Sequence, residues 1–411
     1  MIMLNRERVK EIAALAEKRL EEKHICRFKD MEEELLLISE QYPGLWLEHV
    51  YDSVLLAQMD EKYLFLAENA VKVFIKHQTD EGQLPFAVWD GNRIDSKQTQ
   101  ALYWQIQECV SFYTLCLEVY QMNRCLDFLK MIYASGKKWI SWLKKYRMTT
   151  NRGLIEMFCG FDSGHDNSGR LEGFSCKGNY QKNKVIQNAD VLPENDEVVP
   201  LLAVDMNCNF YGDLMALAQM AKLLGEESRG LAWESKAKAI KENLFKYCWN
   251  ESDAFFYDVD KNNRQRKYLS CTVFHLFLER VLARECDGDK IERIYREHIK
   301  NPKEFWTEYP FPSMAISDPS CEGHPDFNCW GYYTQGLTVL RSIRWLDAYG
   351  WSEELDHICE SWLKTWTEHF DEFPLAQEID PVSGKPTRSS LWYSSCMLFY
   401  IYSAKRLGIV E

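Results

Sequence analysis

Apolar residues recur at helical spacing through most of this chain, and few stretches alternate apolar with polar residues long enough to make a strand. The periodic segments fall near 7–20, 31–39, 61–76, 98–121, 124–146, 201–223, 230–247, 269–283, 333–348, 353–368 and 389–406. In one of them, Leu214-Met215-Ala216-Leu217-Ala218-Gln219-Met220-Ala221 runs on through Leu223-Leu224 to a glycine stop at Gly225. The next helix is expected to begin near Glu227. No linker rich in Pro, Gly or Ser divides the 411 residues and no exact internal repeat is visible, so a single domain over 1–411 is expected. Eleven or twelve helices joined by alternately short and long connections predict an all-α toroid, with consecutive helices paired antiparallel into an inner and an outer ring. The long connections, near 78–96, 148–200, 300–332 and 371–388, belong on one face. They also hold most of the polar and aromatic clusters, which marks that face as the functional one.

Composition narrows the function. The net charge of −13, from 49 basic and 62 acidic residues, is spread without long runs and disfavours nucleic acid and anionic membranes. The chain carries 14 tryptophans. Indole rings fill cores and also make flat platforms for sugar rings. Trp139, Trp142, Trp345 and Trp362 lie in periodic segments and are expected between helices. The 14 cysteines include no Cys-x-x-Cys pair and no zinc-like spacing, so they read as buried reduced thiols. The N-terminus is charged and amphipathic, and no run reaches the length of about eighteen apolar residues that a membrane span needs. A soluble, cytoplasmic protein is expected. Phosphate-binding glycine loops, a Gly-x-Ser-x-Gly elbow and EF-hand-like acidic runs are all missing, so neither cofactor nor metal is expected.

The stretch Phe161 to Arg170, FDSGHDNSGR, packs acids, an amide, an arginine and small residues into a shaped loop. It supplies Asp162 and Asp166. Far downstream, Gln377-Glu378-Ile379-Asp380-Pro381-Val382-Ser383-Gly384 supplies a second acidic group on a loop with Pro and Gly. Hydrolysis of a glycosidic bond needs two carboxyl groups on opposite faces of the sugar, one protonated and one ionised. A gap of roughly 6.5–9.5 Å between them admits a water and gives inversion; roughly 5 Å gives retention.

Ser163-Gly164-His165-Asp166-Asn167-Ser168-Gly169-Arg170 resembles the SG-x-DNSPR signature of glycoside hydrolase family 63 and its trehalase-like clan, with glycine where proline usually stands. Tyr51-Asp52-Ser53 resembles the WDS element, with tyrosine for tryptophan, and Val204-Asp205-Met206-Asn207 resembles VDLN. Tyr309-Pro310, Asp318-Pro319 and Cys329-Trp330-Gly331 resemble the YWRGP region, without its arginine and final proline. Glu378-Ile379-Asp380-Pro381-Val382-Ser383-Gly384-Lys385-Pro386 resembles E-x-YDP-x-TGKP, and the likeness spans about residues 45 to 405.

The resemblance implies an (α/α)6 barrel and an inverting, exo-acting α-glycosidase on a small oligosaccharide or glycoside, with Asp166 as general acid and Glu378 as general base. It assigns sugar contacts to Asp52, Asp162, Asn167, Arg170 and Asn207. Asp52 and Asn207 would look the same in sequence as buried helix caps. Trp330 and Trp392 neighbour the motif loops and are the stacking candidates; Gln335 and Glu308 are further contact candidates. His165 is expected to line a subsite. A glycerate glycoside would favour Arg170, Lys177 and Lys182, whereas neutral glycosides need none of them. Two other readings stand beside this one. A sugar 2-epimerase uses the same toroid with facing histidines as acid and base, and an inactive sugar-binding member would explain the departures at Tyr51, Gly169 and around Trp330.

Overall fold

A computed structural model describes residues 4–174, 183, 196–321 and 330–411, and among them are twelve α-helices. The first six are α1 (Arg6–Arg19), α2 (Val50–Met59), α3 (Leu64–Lys76), α4 (Phe112–Asn123), α5 (Leu126–Arg147) and α6 (Val204–Leu223). The rest are α7 (Glu227–Tyr247), α8 (His275–Leu278), α9 (Arg284–Ile294), α10 (Gly336–Ser342), α11 (Ser352–His369) and α12 (Ser394–Arg406). The even-numbered helices touch one another in sequence around a ring: α2 with α4, α4 with α6, α6 with α8, α10 with α12, and α12 back to α2. The odd-numbered helices pack outside them, α3 on α2, α5 on α4, α7 on α6, and α1 and α11 on α12. This is an (α/α)6 barrel.

Burial explains the two rings. Helix α6 buries every residue from Val204 to Phe210, the polar Asp205, Asn207 and Asn209 included, so it is enclosed on all sides there. Its outer partner α7 buries only Gly230, Ala237, Ile240 and Leu244, one stripe of an otherwise charged helix. Links from inner to outer helices are short, such as 60–63, 124–125 and 224–226. Links from outer to inner helices are long: 20–49, 77–111, 148–203, 248–274, 295–335 and 370–393. The alternation puts every long link at the end where the inner helices begin.

Several elements depart from the periodicity. Segment 31–39 is a strand, Glu34–Leu36, paired antiparallel with Ile25–Arg27 rather than a helix. Its run of buried Leu35, Leu36, Leu37 and Ile38 has no polar interruption to set a period. Segment 98–121 becomes a strand Gln100–Leu102, a loop, and α4; segment 269–283 holds only a 3₁₀ turn and the one-turn α8. Helices α2 and α9 carry no periodic signal. The first is buried from Val50 to Ala57 and so lacks a polar face. The second, RECDGDKIERI, offers few apolar residues and includes Gly288.

Trp139, Trp142, Trp345 and Trp362 are all buried. Trp345 meets the rings of Phe274 and Phe277 at 5.5 Å, Phe311 at 5.7 Å and Trp351 at 6.0 Å. No described helix is long and apolar enough to cross a membrane. Trp345→Ala should destabilise the fold by about 3–5 kcal/mol in urea titration, through the cavity left among these rings. A loss below about 1 kcal/mol would show that this cluster does not anchor the ring.

Candidate active site

A cavity of about 180 Å³ opens where the inner helices start. Its walls come from separate long links. A three-stranded antiparallel sheet, Gly44–Trp46, Ala87–Trp89 and Gln100–Leu102, brings Trp46 and Trp89 together, with Trp104 just beyond. Ring centroids lie 5.9 Å apart for Trp46 and Trp89, 5.8 Å for Trp89 and Trp104, and 5.2 Å for Tyr42 and Trp46. Trp330 closes another side, stacked on the His165 ring at 4.5 Å. The volume lies below the roughly 300–1,000 Å³ of pockets for drug-sized ligands and suits a single ring.

Asp166 is on this wall. Its loop is held by the Trp330 N–H, which donates to the Asp166 carbonyl at 3.1 Å. Burial pushes the Asp166 carboxyl up to about 7, and the nearby charge of Glu48 pushes the same way. Glu48 lies one turn before α2 and accepts from Gln107 Nε2 at 2.9 Å, Cys109 Sγ at 3.3 Å and Arg341 at 3.3 Å. Glu378 sits in the short strand Glu378–Ile379, which pairs antiparallel with Thr334–Gln335 so that Gln335 stands opposite Glu378. The Gln335 amide donates to Glu378 Oε2 and Thr387 Oγ1 donates to Oε1 at 2.9 Å. Glu378 is wholly buried and not itself on the cavity wall, where its chain neighbour Gln377 lies. The Tyr42 hydroxyl donates to Gln377 at 3.2 Å, and its phenol is held neutral by burial and by the charges of Glu48, Asp166 and Glu378 together. One phenol thus lies within the field of all three carboxyls.

The other expected contacts divide. Asn167 is exposed, at φ +58°, on a larger neighbouring cavity of about 1150 Å³. Asp162 is buried below the loop and accepts the backbone N–H groups of Ile106, Phe158 and Cys159. Asn207 is likewise taken up by backbone, bonding the N–H and C=O of Ile155. Arg170 is buried between Asp205 at 3.1 Å and Asp258 at 3.5 Å. Asp52 lies one turn into α2, where Ser394 and Ser395 donate to it, and Glu48 four residues earlier lines the cavity instead. Trp392 is not brought to the cavity. At φ +51° it turns outward, under Arg19 of α1 and edge-on to Phe370. Glu308 is exposed and pairs with Lys364 at 3.7 Å. Lys177, Lys182 and Cys329 lie outside the described residues. Gly169, in place of the usual proline, fits closely: a Cβ there would come 2.1 Å from Ser320 Oγ.

His165 and His275 face each other with ring centroids 6.1 Å apart, the pairing expected of an epimerase. They border a void of only about 10 Å³, too small for a sugar, and burial holds both neutral. No group of three His, Cys, Asp or Glu residues that could hold a metal occurs among the described residues. Sequence reasoning missed Glu48, Tyr42, Gln107 and the Trp46/Trp89/Trp104 wall. The available signal was three tryptophans lying outside the helices, Trp46 in one long link and Trp89 and Trp104 in the next.

The model for the mannosylglycerate hydrolase MGH1-like glycoside hydrolase domain matches residues 49–331, which includes Asp166 and ends before Glu378. A GH63 mannosylglycerate hydrolase from Thermus thermophilus, solved with glucose, is similar over 95% of this chain and 99% of that one, with TM-score 0.71 and 14% identity. Neutral trehalase from Saccharomyces cerevisiae is similar over 90% of this chain and 73% of that one, with TM-score 0.65 and 16% identity. In sequence, a probable trehalase from Eremothecium gossypii is 22% identical over 246 residues, 56% of this chain and 32% of the relative. An uncharacterized protein from Borreliella burgdorferi is 25% identical over 137 residues, 33% of this chain and 27% of the relative. The chain thus spans about a third or less of the length of these curated relatives.

The Asp166 carboxyl, near 7 when folded, lies above the value of about 3.9 for an unfolded aspartate. The folded state therefore holds an extra proton between these values. The stability this gives is complete below about pH 4 and is lost as pH rises through about 7. Melting temperatures of Asp166→Asn should fall less between about pH 5 and pH 8 than those of the wild type. Equal falls would show that Asp166 titrates as an ordinary surface carboxylate.

Proposed function

The chain belongs to the mannosylglycerate hydrolase MGH1-like glycoside hydrolase family, and from that premise we propose that it is an inverting, exo-acting α-glycosidase with Asp166 as general acid and Glu378 as general base. The observation that carries this reading is that Asp166 stands on the wall of the cavity beside Trp330, with burial and Glu48 pushing its carboxyl up to about 7. A general acid must bring its proton to the leaving oxygen, and one poised near the working pH does so most effectively. Glu378 would act as the base from just behind the wall that Gln377 lines, and Gln335 and Thr387, which donate to its two oxygens, hold its carboxyl in place.

The aromatic wall supports a pyranose as the group bound. Trp46, Trp89, Trp104 and Trp330 offer apolar faces, and Gln105, Gln107 and Gln377 offer amides for hydroxyls. A cavity of about 180 Å³ supports removal of one terminal sugar at a time. The aglycone would lie toward the larger cavity that shares Phe161 with the smaller one. Relatives named as mannosylglycerate hydrolase and trehalase make small α-linked glycosides the first substrates to try.

Asp166→Asn and Glu378→Gln should each fold and each lower kcat by about 10³-fold on the best α-glycoside. Turnover within about tenfold of wild type in either variant would remove that residue from the chemistry. Because the acid must be protonated, kcat/KM should fall as pH rises past about 7. Glu48→Gln removes a like charge and should move that basic limb to lower pH; a limb that stays or moves upward would contradict the stated cause.

A further inference from the structure

The inner helices that open the catalytic cavity with their first turns run on to a second one at the other end of the barrel. This cavity, about 730 Å³, is lined by residues of α2, α4 and α6 and by those that follow α8 and α10. Its volume falls within the roughly 300–1,000 Å³ of small-molecule sites. Its floor is Glu279, 6% exposed, whose buried Oε1 has no hydrogen-bond partner among the described residues. The carboxyl fits only because residue 212 is glycine: a Cβ there would lie 2.2 Å from Glu279 Oε2.

Glu279 gives this end an acceptor that a cation could use. The C-terminal halves of α2 and α6 line the cavity, so their dipoles turn their negative ends toward it. Two further buried carboxyls, Glu108 and Asp213, lie close enough behind Glu279 to push one another toward the neutral form. The cations on the cavity wall already have partners. Arg344 is paired with Glu118, Lys222 with Glu234 at 2.6 Å, and Arg280 donates to the carbonyls of Phe277 and Arg344. Burial pushes the Glu279 carboxyl up to about 7 against the pull of Arg344, Arg280 and Arg341, with Glu118 adding to the rise. An incoming positive charge would hold it ionised. Among the described residues no three-carboxylate or histidine arrangement suits a metal ion, whereas Glu279, the Tyr211 phenol and the Gln219 amide suit N–H donors. We propose that this cavity is a second binding site, separate from the catalytic one, for a small alkylammonium compound whose N–H groups bond Glu279.

Isothermal titration of the whole chain with putrescine at about pH 8, where Glu279 is ionised, tests this. Saturable binding is expected in the wild type, with affinity at least about tenfold weaker in Glu279→Gln. Gln219→Lys, on the exposed rim, puts a cation at the mouth without touching the core and should weaken binding similarly. Glu378→Gln should bind putrescine as the wild type does, which keeps this result independent of the catalytic reading. No saturable binding, wild-type affinity in both Glu279→Gln and Gln219→Lys, equal binding of glycerol, or loss of binding in Glu378→Gln would each overturn the proposal.

Discussion

A carboxyl group taken out of water must gain a partner or gain a proton, because an isolated buried charge costs more than a fold can supply. That constraint organises the end of this barrel where the inner helices begin. Glu48 meets it with Arg341, Gln107 and Cys109. Glu378 meets it with one donor on each oxygen. Asp166, on the cavity wall with Glu48 near it, meets it by holding its proton to about pH 7. Three acids thus lie within the field of one phenol, each in a different set of contacts.

The ring of helices makes this arrangement rigid. Neither catalytic candidate lies on a helix, yet each is fixed to one. The Gln335–Glu378 pairing ties one loop to the residue just before α10, and the Trp330 N–H ties the Asp166 loop to the segment leading there. The motif residues Asp162, Arg170 and Asn207 serve the same end. Their polar groups are engaged by backbone or by buried acids, so they shape the loop that carries Asp166. At the opposite end of the same helices Glu279 is a further buried carboxyl, set among arginines that have other partners.

Much of the fold was legible because outer helices must have one apolar stripe and one wet face. The pattern in α5, α7 and α11 could hardly mean anything else. It failed where burial is complete on all sides, as in α2, and where an apolar run is short, as at Leu35 to Ile38. At the site, the two acidic loops could be read because their motifs are local. The aromatic wall could not, since Trp46 and Trp89 are joined only by strand pairing between distant links. Proximity in sequence misled for Trp392, whose left-handed backbone turns the indole to the outer ring. Asp52, named through the WDS resemblance, is instead a buried acceptor for Ser394 and Ser395, and Glu48 one helical turn earlier lines the cavity.

Stereochemistry reaches the central claim most directly, because a water placed by one carboxylate opposite a proton delivered by the other can give only one anomer at first. Proton NMR of an α-glycoside during its first turnovers should show the free sugar released as the β-anomer, with the α-anomer growing in later by mutarotation. Release of the α-anomer first would mean a covalent intermediate and a different partnership of acids from the one described for Asp166 and Glu378.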